Sequence, residues 1–262
     1  MKGEEMRTTH KSLALIIGSL LCSAGAAHAD ITQASSSGYG LAADVSLLVA
    51  NLEVLPQGHA TGTAPGPYSQ SESTLNASFT TAGLANISAG VLSGEAYSDV
   101  DGLAGTRTAT GMGRVTDLGT DLVLGTILDL NAGVIESEAA VSGDYGSLLA
   151  TGSSILTDVD LSVLGAEVLI DANAAPNTVL FDALGIRIVL NEQIVGGNGI
   201  DDRTMEVNAI RISFDNVAAG LGLLNGDIRI AHSYAEMGAV VPAPASFMLL
   251  ASGGLLTSRR RR

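Results

Sequence analysis

The sequence predicts an all-β protein: an antiparallel, β-sandwich-like domain flanked by an N-terminal signal helix and a short C-terminal hydrophobic helix. Three observations predict it. Residues 31–240 break into short apolar or alternating runs, the mark of strands with a buried face. Clusters of Gly, Asn, Asp and Ser separate those runs. No long 3.6-residue periodicity with caps lies between the two ends. A β-solenoid is the alternative, since Gly/Ala/Val-rich runs with Asn turns suit one, but no fixed repeat period emerges.

The N-terminal element is residues 1–29. Lys2, Arg7 and Lys11 form a basic start, Ser12 to Leu21 is apolar, and Ala27-His28-Ala29 places small residues where a signal peptidase inspects the chain. Cleavage is expected between Ala29 and Asp30. The apolar run is shorter than an ordinary membrane span. This end predicts passage through the Sec machinery and processing by signal peptidase.

One domain is expected over residues 30–240. Its predicted strands are Tyr39–Val49, Ala77–Thr81, Val91–Val100, Leu122–Leu130, Val134–Val141, Ile155–Leu164, Glu167–Ile170, Ile186–Leu190, Met205–Phe214 and Asp227–Ala231. Turn signals are Asp101-Gly102, Asn131-Ala132-Gly133, Gly143-Asp144, Gly196 to Gly199, and Asn225-Gly226, whose Asn-Gly pair suits a hairpin. Leu118–Val141 holds enough Leu and Ala for a helix as a competing reading. Gly58–Ser73 reads as a long loop.

The C-terminal element is residues 241–262. Pro242 and Pro244 interrupt the preceding structure, Phe247 to Leu256 is mostly apolar, and Arg259, Arg260, Arg261 and Arg262 end the chain. Such a tail stalls an outward-threading chain in the bilayer, because moving four arginines across is costly. It predicts a short transmembrane helix and transient anchoring.

Charge and cysteine narrow the classes of function. Asp30 to Val240 holds six arginines, no lysine and 25 acidic residues, a formal charge of −19. A body this acidic repels nucleic acid and anionic lipid. The single cysteine, Cys22, lies in the leader, so the exported domain has no thiol chemistry and no disulfide. Its core must come from small and branched aliphatics, since the chain has no Trp.

The residues offer little chemistry. No G-x-S-x-G, P-loop or dinucleotide fingerprint is present. His59 and His232 lack metal-ligand spacing and read as surface residues. The run Gly196-Gly197-Asn198-Gly199-Ile200-Asp201-Asp202-Arg203 resembles one calcium-binding glycine-aspartate repeat, with Arg203 where an apolar core residue belongs. Asp201 and Asp202 are therefore the weak calcium candidates, against a plain hairpin loop. Asp158 with Asp160, and Glu136 with Glu138, are carboxylate pairs at i, i+2 and would suit a glycosidase. No catalytic residue and no cofactor is assigned.

Two resemblances add to this. Val241-Pro242-Ala243-Pro244-Ala245-Ser246, the apolar stretch and the arginine cluster resemble a PEP-CTERM sorting signal, with Ala243 where the name-giving motif has Glu. That resemblance implies recognition by an exosortase-like membrane enzyme. Gly38 to Ala43, Pro176-Asn177-Thr178, Leu190-Asn191-Glu192-Gln193, Val207 to Ile210 and Gly226 to Ala231 resemble the choice-of-anchor P family of exported bacterial domains. That family implies location and no activity. Asn177 and Asn191 also have a plain reading as turn or strand-end residues whose side chains bond nearby backbone. The sequence therefore leads to a non-enzymatic structural or adhesion protein of the cell envelope, surface or extracellular matrix. A carbohydrate- or calcium-binding adhesion module is the alternative, with extracellular polysaccharide as partner. A secreted hydrolase ranks last.

Overall fold

The computed structural model describes residues 29–48, 50–123, 126–220 and 222–240. The leader, with Ala27, and the tail, with Val241, Pro242, Ala243, Pro244, Ala245 and Arg259 to Arg262, lie outside the described residues. Among the described residues no helix is long and apolar enough to cross a membrane.

The domain is all-β, with two antiparallel sheets and no closed barrel. Sheet A contains β1 (Ile31–Leu47), β2 (Ala50–Gln57), β3 (Ala60–Thr63), β10 (Thr178–Ala183), β11 (Ile186–Gly196), β12 (Asp202–Ala218) and β13 (Leu223–Ala239). Their order is β10-β11-β12-β13-β1-β2, with β3 also pairing β1. Sheet B is a meander of β4 (Tyr68–Thr81), β5 (Ala85–Ser98), β6 (Arg107–Leu122), β7 (Leu128–Gly143), β8 (Leu149–Val163) and β9 (Ala166–Val168). Every pairing is antiparallel, so the solenoid alternative does not hold. The first and last strands meet in the middle of sheet A, where Ile31 faces Ala239.

Several local expectations are corrected. Residues 58–73 are not one loop: they hold β3 and the start of β4. Leu118–Val141 is not helical; it runs from the end of β6 through a hairpin into β7. That hairpin also splits the expected Leu122–Leu130 strand. Asn131-Ala132-Gly133 lies inside β7 and Asn225-Gly226 inside β13. Asn225 and Gly226 pair with Ser46 and Val45, while β12 and β13 are joined earlier in the chain, between Ala218 and Leu223, which pair with each other. Turn-forming composition there serves irregular strand positions instead.

One kind of irregularity recurs in both sheets. In sheet B it passes through Asn76, Gly90, Asp117, Gly133 and Asp158, which fall opposite one another on β4 to β8. Asn76, Asp117 and Asp158 have φ of +50°, +51° and +52°. In sheet A it passes through Asn191, Ala209, Ala231, Gly40 and Gly58. There Asn191, Ala231 and Gly58 have φ of +49°, +49° and +61°. A left-handed residue inside a strand reverses the phase of side-chain alternation. On β13 the inward set changes across the left-handed Ala231 from Ile228 and Ile230 to Ser233, Ala235 and Met237. These two phase lines explain why the alternation in the sequence looked imperfect.

The core has two parts. The larger joins Leu41, Val45, Leu92, Ile135, Ile188 and Ile230, among others, from both sheets. The smaller joins Ile31, Val100, Val141, Met205 and Met237. Each fully buried Leu, Ile or Val contributes roughly 1.5–3 kcal/mol. Between the two parts the sheets touch backbone to backbone. A Cβ at Gly38 would overlap the Met112 carbonyl, and one at Gly113 would overlap the carbonyls of His232 and Tyr39. This waist has no room for any side chain.

Candidate functional site

The most organised polar surface lies on the outer face of sheet A, beside its phase line. Glu192, Asn208, His232 and Tyr39 sit directly opposite one another on β11, β12, β13 and β1. Each is the immediate neighbour of a phase-line residue: Asn191, Ala209, Ala231 and Gly40. Because the inward direction changes there, these four side chains point away from the core. The next outward row holds Arg211 and Arg229, paired in register, and the one beyond holds Asp227 opposite Asp44.

Hydrogen bonds tie the rows together. Asn208 Nδ2 donates to Glu192 Oε2 at 2.8 Å and to Glu206 Oε1 at 3.4 Å. Its Oδ1 must then accept, so His232 Nδ1 donates across the 2.8 Å contact between them. That assigns the Nδ1–H tautomer and leaves Nε2 as an acceptor. Arg211 donates to Glu192 at 3.2 Å and lies 4.0 Å from Asp227. Arg229 Nε donates to the same Asp227 carboxylate at 3.0 Å. The Tyr39 and His232 rings stack at 4.5 Å with 20° between their planes, and His59 meets Tyr39 edge-on at 5.9 Å.

His232 is not the surface residue the sequence reading expected; only 8% of it is exposed. Burial, reinforced by the charges of Arg229 and His59, lowers its pKa to about 4. The ring is therefore neutral at pH 7, and its 3.8 Å approach to Glu206 is not an ion pair. Burial raises the Tyr39 hydroxyl above its ordinary range despite the opposing pull of Arg229. Burial alone would lower the Arg229 guanidinium, but Tyr39 and Asp227 outweigh it and hold the charge more firmly. His59, in contrast, is exposed.

Beside this ladder opens a shallow depression of about 240 Å³, lined by Tyr39, Ala42, Asp44, Glu53, Asp227 and Arg229 together with further residues of β2. It offers an aromatic edge, one fixed cation and three carboxylates. Such a surface suits hydroxyl-rich ligands, whose many donors and acceptors match fixed polar groups.

The residues singled out from sequence fare differently. Asp201 lies in the β11–β12 turn and Asp202 is the first residue of β12. Asn198 Nδ2 donates to Asp201, and Asp202 Oδ1 accepts from the Asn198 amide at 3.2 Å. Asn198 Oδ1 in turn accepts from the Ile200 amide at 2.8 Å. Among the described residues no group of three or more His, Cys, Asp or Glu is placed to hold a metal. Glu136 and Glu138 share the outer face of β7, as read. Asp158 falls on the sheet B phase line, so with Asp160 it does not follow plain alternation. Asn177 and Asn191 bond backbone as expected: Asn177 Oδ1 accepts from the Gln193 amide at 2.9 Å, and Asn191 Nδ2 donates to the Ala174 carbonyl at 3.0 Å.

Sequence reading missed the ladder because its members are scattered over the whole chain. One signal was present. The segments 38–43, 190–193, 207–210 and 226–231, singled out for their likeness to exported domains, become neighbours in this one patch. Comparison with protein-family models finds no match, and comparison with curated proteins finds none either.

Proposed function

We propose that this chain is an exported, non-enzymatic structural or adhesion protein of the cell envelope or extracellular matrix. In this reading its tail is handled by an exosortase-type membrane enzyme, and the sheet A ladder takes extracellular polysaccharide. The observation that carries the binding role is the row Glu192–Asn208–His232–Tyr39, with Arg211, Asp227 and Arg229 beside it. Its groups are engaged with one another. His232 is buried and neutral, Glu192 is held by Asn208 and Arg211, and Asp227 is held by Arg229. A network locked in this way favours rigid recognition over proton transfer, since a general base needs reach to its substrate. The leader and the tail of the sequence support export and processing.

The test has two arms. Purified protein is offered to a glycan array and to polysaccharide extracted from the producing cells. Binding is expected, and Arg229→Gln is expected to weaken it about tenfold while leaving the melting temperature nearly unchanged. Absence of binding to every glycan sinks the ligand reading. Mass spectrometry of both chain ends from native cells tests the sorting reading, and recovery of Met1 and Arg262 on the same polypeptide would overturn it.

A further inference from the structure

The sandwich has two unlike poles. One is formed by the ends of the domain and by the connections 64–67, 99–106, 144–148 and 197–201, which carry Asp99, Asp101, Asp144 and Asp201. The Leu148 amide donates to Gly199 there and joins the sheets. The other is formed by six connections between consecutive strands, with described residues 48, 82–84, 123, 126–127, 164–165, 184–185, 219–220 and 222. The Thr81 hydroxyl donates to the Asn51 carbonyl at that end and fixes both sheets to the same pole. None of these six connections contains a charged residue, in a domain of formal charge −19.

The opposite pole also exposes Leu103, Leu149 and Ile200, at 64%, 67% and 52%, but beside its aspartates, whereas the exposed leucines at this pole have no charge within their connections. Leu48, Leu184, Leu164 and Leu223 are 83%, 75%, 40% and 52% exposed. Leu164-Gly165 and Leu184-Gly185 are two-residue turns with positive φ at both positions. Such turns ordinarily take Asn-Gly, because a bulky side chain is strained in the left-handed region. At two hairpins the chain therefore uses a residue that suits neither the turn nor the exposure. Fold stability does not account for that choice.

We propose that this pole inserts its leucine-tipped hairpins into the surface of a zwitterionic lipid bilayer. Three features favour lipid over a second copy of the chain. The four side chains present a few hundred Å², short of the roughly 800 Å² per partner of a stable protein interface. Leu48 packs beside Leu223, since a Cβ at Gly222 would lie 2.8 Å from the Leu48 Cβ, whereas alternate connections in one sheet stand about 10 Å apart, so Leu184 is a prong apart from that pair and the four leucines do not make one flat patch. Fluid acyl chains fill such gaps, whereas a folded partner needs matching holes. The connections also bring no charge to desolvate, and the two-residue turns keep their backbone groups within the hairpin. The acidic flanks select against anionic lipid.

The test uses the full-length chain with Cys22→Ser and one environment-sensitive dye, attached at Leu184→Cys or at Ser147→Cys on the opposite pole. Phosphatidylcholine vesicles carrying a quencher in their acyl chains are added. A blue shift and quenching are expected at position 184. Adding Leu48→Ser, Leu164→Asn and Leu223→Ser is expected to weaken the response on the order of tenfold for each leucine removed. Circular dichroism and melting temperature are expected to hold, because Asn suits the left-handed turn position better than Leu. Absence of quenching at position 184, whether or not position 147 responds, overturns the proposal. So does a blue shift at position 184 that appears without vesicles as protein concentration rises, which would mark self-association.

Discussion

The two sheets share one backbone device and use it differently. The phase line crosses five strands in sheet B and, in sheet A, four strands and the Gly58 link between β2 and β3, with left-handed residues alternating with regular ones. In sheet B the left-handed residues are Asn76, Asp117 and Asp158, short polar side chains that tolerate that conformation, and no comparable row of bonded side chains stands beside them. In sheet A the line passes through Ala231 and the buried Asn191, and a bonded row of Glu192, Asn208, His232 and Tyr39 runs along it. The device alone is therefore architecture. What distinguishes sheet A is the chemistry added next to it, which is why the ladder is the better candidate for function.

The comparison can be broken most severely at the waist. Gly113→Ala forces a Cβ into the backbone of His232 and Tyr39, so loss of more than about 4 kcal/mol, or no folding, is expected. Gly90→Ala on sheet B meets only the Asp117 side chain, which can swing aside, and is expected to cost about 1 kcal/mol. Urea denaturation of the two variants measures the contrast.

Acid sharpens it next. His232 titrates at about 4 when folded, below the ordinary 6.5, so the unfolded chain binds the extra proton between those values. Stability from this group is complete above pH 6.5 and falls as pH drops toward 4, by about 3 kcal/mol. His232→Gln is expected to flatten that limb of the stability-against-pH curve. An unchanged limb would mean the ring is not buried and neutral.

A smaller effect separates the two asparagines. Asn191→Ala is expected to cost about 2 kcal/mol, since it removes bonds to the Ala174 carbonyl and Gln193 and keeps an Ala in a left-handed position. Asn76→Ala, on an exposed edge strand, is expected to cost about 1 kcal/mol or less. Equal losses in thermal melts would remove the distinction between the lines.

Much of the architecture was legible in the chain. Runs such as Ile186-Arg187-Ile188-Val189-Leu190 carry their strand period openly, and Gly143-Asp144 and Gly196 to Gly199 do end strands. The phase lines were not legible, because Asn131-Ala132-Gly133 and Asn225-Gly226 have turn composition while sitting inside strands. Local propensity cannot distinguish a chain reversal from a one-residue change of phase. The waist was hidden for a related reason: no strand was expected over Gly111-Met112-Gly113, because glycines weaken a strand pattern, and β6 runs through it. His232 looked like a surface residue because burial there comes from Tyr39, nearly two hundred residues earlier in the chain. A ladder assembled from four distant segments leaves no spacing for a motif search to detect.

The pairing of β1 with β13 also governs timing. Ser35 and Glu236, bonded across these strands, lie 201 residues apart. One whole edge of the earliest strand stays unmatched until the last has been delivered, and contacts so remote in sequence form slowly. Sheet B, a meander of consecutive strands, can zip up locally, whereas the seam of sheet A closes only when the full domain is present.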